Sequence, residues 1–274
     1  MPDQDVRLQL LQSWLEQCLP ALFEREGWGA VPPASLTPAS SDASFRRYFR
    51  WQAEGRSLIL MDAPPPQEDC RPFVRIAALL ADSGVHVPRV LAQDLERGFL
   101  VLDDLGRQTW LEVLNADNAD ALFEQALQAL VRFQRMPGAD ALPPYDDALL
   151  RRELQLFPDW YLQRHLGVEL NEVQRDQWQR VCDLLVGSAL AQPRVFVHRD
   201  YMPRNLMLSE PNPGILDFQD AVHGPISYDV TSLFKDAFLS WPEVRVQAWL
   251  QRYWQLAREA GLAVPAEFAG FQRM

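Results

Sequence analysis

Hydrophobic residues recur along the first part of the chain at two spacings, one typical of helices and the other typical of strands. The expected elements are a helix at 6–26 that breaks or restarts at Pro20, a hairpin of strands at 45–52 and 57–61, a helix at 71–83, and strands at 87–93 and 98–102. The proline-containing stretch 31–38 fits either a loop or the approach to a strand. The first part of the chain is therefore expected to be rich in strands.

The pattern changes after residue 105, where helical spacing dominates. Helices are expected at 109–115, 118–135, 146–165, 171–190, 229–240 and 243–260, with short strands at 194–197, 206–208 and 214–218. A β-rich part followed by a mostly helical part predicts an α+β fold of two lobes, residues 1–104 and 105–274, with a cleft at their junction. Ligand sites favour such junctions.

Composition and charge narrow the class of protein. Of the 274 residues, 48% are hydrophobic, and the formal net charge is −11. This balance argues against a nucleic-acid-binding protein, which usually carries a basic stripe. Lys235 is the only lysine among 26 basic residues, so the others are arginines.

The cysteines and the start of the chain suggest where the protein works. Cys18, Cys70 and Cys182 are far apart and odd in number, which favours reduced thiols over a disulfide framework. The first residues do not resemble a cleavable signal peptide, and no apolar run is long enough for a membrane helix. We therefore expect a cytoplasmic protein with no membrane attachment and no obligate protein partner.

The most informative residues lie in the short β-rich segment of the second part. His198-Arg199-Asp200 is followed five residues after the aspartate by Asn205, and an Asp217-Phe218 pair follows on the next predicted strand. This arrangement is the general pattern of a phosphoryl-transfer site, in which an aspartate orients the acceptor hydroxyl and accepts its proton. The oxygen atoms of Asn205 and Asp217 are the hard ligands that Mg²⁺ prefers, and a hairpin over 206–218 would bring them side by side. The pattern predicts a kinase that uses ATP and Mg²⁺, with Asp200 as base and Asn205 and Asp217 as metal ligands.

The spacing after Asp217 indicates the kind of acceptor. Tyr228-Asp229 follows within about ten residues and marks a helix start, and no Ala-Pro-Glu sequence follows Asp217. This leaves no room for the activation segment of a protein kinase. A small-molecule acceptor fits better.

The segment from His198 to Asp229 resembles the aminoglycoside phosphotransferase-like kinases, a branch of the protein-kinase-like fold that includes choline and sugar kinases. The stretches 41–50, 58–65, 153–161 and 197–208 resemble, more specifically, the bacterial anomeric kinases of cell-wall amino sugars. The resemblance covers nearly the whole chain. It implies ATP-dependent phosphorylation of the C1 hydroxyl of N-acetylmuramate and N-acetylglucosamine, in peptidoglycan recycling.

The resemblance also implies roles for individual residues. His198 and Asp229 are expected to brace the catalytic loop, and the backbone of 100–105, with Asp103 and Asp104, to act as the hinge that contacts adenine. Relatives of this fold continue with further helices that complete the acceptor pocket, so a chain stopping at Met274 is expected to be truncated.

The nucleotide side departs from the family pattern in two places. Met61 stands near the strand position where such kinases carry a phosphate-binding lysine, and Lys235 lies too far along the chain to replace it. Residues 40–44 replace a glycine-rich loop, and here Ser41 and Ser44 are candidate nucleotide contacts. We hypothesise that Arg46 or Arg47 supplies the missing charge, since arginine offers phosphate a fork of donors. Strand alternation allows only one of the two to point inward.

Other candidates concern the acceptor. Glu153 is a candidate sugar ligand, while Arg204 could approach the γ-phosphate or pair with an acid. Trp160 and Tyr161 could stack on a sugar, although aromatic residues at helical spacing more often belong to the core. Glu68 is a candidate partner for a phosphate-binding cation, but without a strand lysine it receives no role.

Two alternative functions stay open. The first is a kinase for another small acceptor, such as an aminoglycoside. The second is a pseudokinase that binds nucleotide without turning it over, which the missing lysine and glycines permit. The presence of Asp200, Asn205 and Asp217 together favours an active enzyme.

Overall fold

The computed structural model describes residues 5–41 and 45–274. These residues form two compact units. Unit 1 contains the described residues up to Asp82, together with His86–Arg107 and Leu208–Gln219, and unit 2 contains the rest. The predicted division at 104 and 105 lies close to Arg107, but Leu208–Gln219, which the prediction assigned to the second lobe, belongs to unit 1. No helix of the described residues has both the length and the apolar character needed to cross a membrane.

Unit 1 is built on a five-stranded antiparallel sheet in the order β1-β2-β3-β5-β4. Its strands are β1 Ser35–Ser41, β2 Arg47–Ala53, β3 Arg56–Asp62, β4 Val90–Asp94 and β5 Phe99–Asp103, and its helices are α1 Val6–Arg25 and α2 Arg71–Asp82. One face of α1 packs on the sheet because Leu11, Trp14 and Leu15 join a buried cluster with strand residues such as Leu58 and Leu60. Large apolar side chains at helical and strand spacing therefore form the core of this unit.

Unit 2 is mostly helical. Its helices are α3 Trp110–Val113, α4 Ala119–Gln134, α5 Asp147–Leu156, α6 Glu172–Leu190, α7 Tyr228–Phe234, α8 Glu243–Glu259 and α9 Phe268–Phe271. A two-stranded antiparallel sheet joins β6 Arg194–Val197 to β9 Val222–Pro225. The short strand β7 Leu206–Met207 also belongs to this unit, whereas β8 Gly214–Ile215 belongs to unit 1. The catalytic sequence motif begins directly after β6.

The predicted elements are mostly present, but several of them differ. Helix α1 continues through Pro20, because Pro20 and Glu16, whose carbonyl loses its hydrogen bond, are both exposed to water. The predicted helix at 146–165 changes into a π-helix over Phe157–His165. Helix α7 ends at Phe234 and does not reach residue 240. Strand β9 was not predicted from the sequence.

Candidate active site

The loop that follows β6 is held by one buried carboxylate. The Asp229 side chain is fully buried and accepts hydrogen bonds from the backbone amides of His198 (2.8 Å) and Arg199 (3.0 Å). Burial raises the pKa of Asp229 to about 7, although these two N–H groups act in the opposite direction. Asp229 therefore anchors the loop from α7.

Hydrogen bonds between residues close in sequence fix the loop around Asp200. The amide of Asp200 donates to Nδ1 of His198 (3.2 Å), and Nδ2 of Asn205 donates to the carbonyl of Asp200 (2.9 Å). The Tyr201 hydroxyl donates to the carbonyl of Ala126 on α4 (2.8 Å), which ties the loop to the helical core. Asp200 and Asn205 are thus arranged by the backbone of one short segment, and the His198 ring accepts a hydrogen bond from it.

Asp217 belongs to unit 1 and lies in a turn. The sequence placed it on a strand, but β8 ends at Ile215, and Asp217 has a φ of 62° in the left-handed region. Its Oδ1 accepts a hydrogen bond from Nε2 of Gln219 (2.9 Å). Asp217 is one of two non-glycine residues with positive φ among those that the structure describes, and such conformations often mark functional positions.

Arg46 and Arg47 take different partners. Arg46 pairs with Glu68 (Nε to Oε2, 3.1 Å), and both side chains are largely buried. Burial alone would lower the pKa of Arg46, but Tyr48, Glu68 and Asp217 outweigh it and raise the pKa. The Arg46 guanidinium therefore lies within electrostatic range of the candidate metal ligand Asp217.

Arg47 is committed to an ion cluster elsewhere in unit 1. It pairs with Asp62 (Nε to Oδ2, 3.0 Å) and with Asp5, and the fully buried Asp62 also accepts from Arg7. Met61, near the position of the expected lysine, is fully buried and apolar. Of the two candidate arginines, Arg46 is the one whose surroundings include a candidate active-site residue.

The predicted hinge borders a cavity of about 480 Å³ within unit 1. Residues 103–106 line it, together with Trp28, Arg56 and His86 among others. The Asp103 carboxylate pairs with Arg89, while that of Asp104 accepts from Arg50 (Nε to Oδ2, 2.6 Å) and Ser57. Burial opposes ionisation of Asp104, but these donors and the Gly106 amide outweigh it and lower its pKa. Both side chains are engaged within the protein, which leaves the backbone as the part of this segment suited to contact a nucleotide.

The candidate acceptor residues lie in unit 2. Glu153, on α5, accepts hydrogen bonds from Arg199, from the Tyr145 hydroxyl and from the Tyr228 hydroxyl (3.4 Å). The Arg204 guanidinium lies over the ring of Phe238 (5.3 Å), and it pairs with no acid among the described residues. Trp160 and Tyr161 are exposed on the π-helix, so they are not core residues.

The side chains of two predicted nucleotide contacts lie outside the described part of the structure. Ser44 lies outside the described residues, and Ser41 is described only through its backbone, as the last residue of β1.

The donor set fits a magnesium ion shared with phosphate. Among residues 5–41 and 45–274, no group of three or more Asp, Glu, His or Cys side chains forms a metal site. Mg²⁺ typically takes one or two carboxylates and completes its shell with water and substrate phosphates. Because Asn205 uses its nitrogen on the Asp200 carbonyl, its amide oxygen is the atom suited to a metal. Asn205 in unit 2 and Asp217 in unit 1 each offer an oxygen atom of the type that Mg²⁺ prefers.

Sequence reasoning missed Arg199 and left Glu68 without a role. Glu68 becomes significant through its contact with Arg46, which is distant in sequence. Arg199 stands inside the recognised motif, so its position was available as a signal, but its partner Glu153 lies on another helix.

Comparison with known proteins agrees with this arrangement. Residues 35–269 match the model of the phosphotransferase enzyme family. The N-acetylmuramate/N-acetylglucosamine kinase of Pseudomonas aeruginosa is 70% identical over 269 residues, which is 98% of this chain and 80% of the relative. The enzyme of the same name from Pseudomonas putida is 64% identical over 273 residues, which is 100% of this chain and 80% of that relative.

A solved structure supports the fold. The aminoglycoside phosphotransferase of Streptomyces rimosus, solved with ADP and streptomycin, matches with a TM-score of 0.57 at 18% identity, over 94% of this chain and 95% of that one. The chain belongs to the phosphotransferase enzyme family. Its activity is phosphoryl transfer, and the predicted α+β fold and the family resemblance are confirmed.

Proposed function

We propose that this enzyme transfers the γ-phosphoryl group of ATP to the C1 hydroxyl of N-acetylmuramate and N-acetylglucosamine. The observation that carries the proposal is the loop from His198 to Asn205, in which backbone hydrogen bonds and the buried Asp229 fix Asp200 and Asn205. The choice of acceptor is supported by the curated kinases that are 70% and 64% identical to the chain. An enzyme with these substrates would work in the cytoplasm, in peptidoglycan recycling.

Asp200 acts as the general base in this proposal. The C1 hydroxyl donates its proton to the Asp200 carboxylate as its oxygen attacks the γ-phosphorus, and the bond to the β-phosphate oxygen breaks to release ADP. General-base catalysis of this kind contributes about 10²–10⁴-fold to the rate. Mg²⁺ held by Asn205 and Asp217 would neutralise charge on the phosphates.

Arg46 takes the place of the strand lysine in this proposal. Arg46 pairs with Glu68, and its guanidinium lies within electrostatic range of Asp217. The fork of N–H donors of an arginine suits the binding of phosphate oxygens. Arg47 has no part in nucleotide binding, because Asp62 and Asp5 already occupy it.

The test is turnover of ATP with N-acetylmuramate, N-acetylglucosamine and kanamycin as separate acceptors, with the product identified by phosphorus NMR. We expect an anomeric phosphate from both amino sugars and a kcat lower by about 10³–10⁴-fold after Asp200→Asn. Turnover of kanamycin alone would identify a kinase for aminoglycosides. Nucleotide binding without turnover of any acceptor would identify a pseudokinase.

A further inference from the structure

The backbone of the catalytic loop is strained at Arg199, the residue before the proposed base. Its φ of 78° lies in the left-handed region, which is unfavourable for a non-glycine residue. The conformation lets two consecutive amides, those of His198 and Arg199, point at the carboxylate of Asp229. A glycine would give the same backbone arrangement without strain. The backbone therefore does not explain why an arginine side chain stands here.

The arginine side chain joins a network on α5. Its Nη2 donates to Oε1 of Glu153, and the Tyr145 hydroxyl donates to the other oxygen of the same carboxylate. The guanidinium also lies 5.9 Å from the centre of the Tyr145 ring. One oxygen of the Glu153 carboxylate thus holds the Arg199 side chain, and the other is oriented by Tyr145.

Arg199 has a second unfavourable feature besides its backbone conformation. The Nε atom of Arg199 is buried and has no hydrogen-bond acceptor among the described residues. A buried donor without an acceptor destabilises the folded state, because it has lost its hydrogen bonds to water. Two unfavourable features at one residue, beside a proposed catalytic group, indicate a functional role.

We propose that Arg199 and Glu153 form a positioning pair that fixes the orientation of Asp200 for proton transfer. The inference rests on the proposed function, since it takes Asp200 as the base. Arg199 and Asp200 share a peptide bond, so the anchored guanidinium limits rotation of the loop at the point where the carboxylate emerges. Proton transfer is sensitive to such placement, because a shift of about 1 Å can cost about 10²-fold in rate.

The first variant is Arg199→Gly, which removes the guanidinium and accepts the left-handed φ. We expect kcat to fall about 10–100-fold while the KM for ATP changes less than about twofold. Arg199→Lys should recover part of the lost kcat, because it restores a cation that can reach Glu153. Glu153→Gln tests the pair from the other side, and combining it with Arg199→Gly should lower kcat no further than the larger single effect.

The control is Glu124→Gln in the same unit. Glu124 accepts two hydrogen bonds from Arg252 (2.8 and 2.7 Å), so the variant weakens a comparable half-buried ion pair away from the loop. We expect its kcat to stay within about twofold of wild type. An unchanged kcat in Arg199→Gly would overturn the proposal, as would a lower melting temperature with normal kcat, which is the signature of a purely structural pair.

Failure of the proposed function has a different signature. If wild type phosphorylates neither amino sugar, the proposed function fails. The positioning role can then be tested by ATP hydrolysis, in which water is the acceptor. The quantity compared is the hydrolysis rate of Arg199→Gly divided by that of wild type. A ratio near one in that assay would overturn it.

Discussion

In unit 1, the charged residues around the sheet are matched side chain to side chain, arginine against carboxylate, as in the pairs of Arg46 with Glu68 and Arg50 with Asp104. In unit 2, the loop around Asp200 is held mainly by backbone groups, and strain collects at Arg199. The two units therefore use different interactions to hold their charged residues in place. Paired side chains stabilise the sheet, whereas the loop around Asp200 is held through its backbone amides and carbonyls.

The largest expected effect concerns the chemical role of unit 2. Asp200→Asn keeps the size of the side chain and removes its basicity, so kcat should fall about 10³–10⁴-fold while ATP binding, measured by calorimetry, stays within about threefold. A loss of less than tenfold would contradict the assignment of Asp200 as the base.

The next effect concerns the structural role of paired charges in unit 1. Asp62→Ala removes a fully buried carboxylate that pairs with Arg7 and Arg47. We expect the free energy of unfolding, measured in urea, to fall by about 2–4 kcal/mol because both arginines lose their main partner. Asp183→Ala, at the exposed pair with Arg151, is the control and should leave this free energy nearly unchanged.

A smaller effect separates Arg46 from its neighbour. Arg46→Ala should raise the KM for ATP about 10–100-fold, because a charged hydrogen bond to phosphate contributes about 1.5–3 kcal/mol. Arg47→Ala should leave that KM within about twofold and lower the unfolding midpoint. Equal effects of the two variants on the KM for ATP would contradict the assignment of phosphate binding to Arg46 alone.

The last expected effect depends on pH and concerns the buried anchor of unit 2. The pKa of Asp229 is about 7 in the folded protein and about 4 when unfolded, so the folded state binds the extra proton. Its contribution to stability is therefore full below about pH 4 and is lost as the pH rises to 7. The unfolding free energy of wild type, minus that of Asp229→Asn, should decrease over this range. A difference that is constant between pH 4 and 7 would show that Asp229 titrates normally.

The catalytic loop could be predicted from the sequence because its determinants lie within a few residues of one another. The pairing of Arg46 with Glu68 and of Arg199 with Glu153 could not, since each joins residues on separate elements. Strand β9 was missed because Val222–Pro225 is short and contains glycine and proline, which are depleted in strands. The left-handed turn at Asp217 was missed because the apolar residues before it predict a longer strand than β8.

The buried methionine at position 61 has a consequence for chemical labelling. Reagents that tag kinases through an amide bond to the phosphate-binding lysine find no amine in β3 of this enzyme. The only lysine side chain is that of Lys235, which pairs with Glu243 in unit 2. Surveys of a proteome by amine-reactive nucleotide probes would therefore pass over this enzyme even when its nucleotide site is filled, whereas guanidine-directed dicarbonyl reagents offer a route to Arg46.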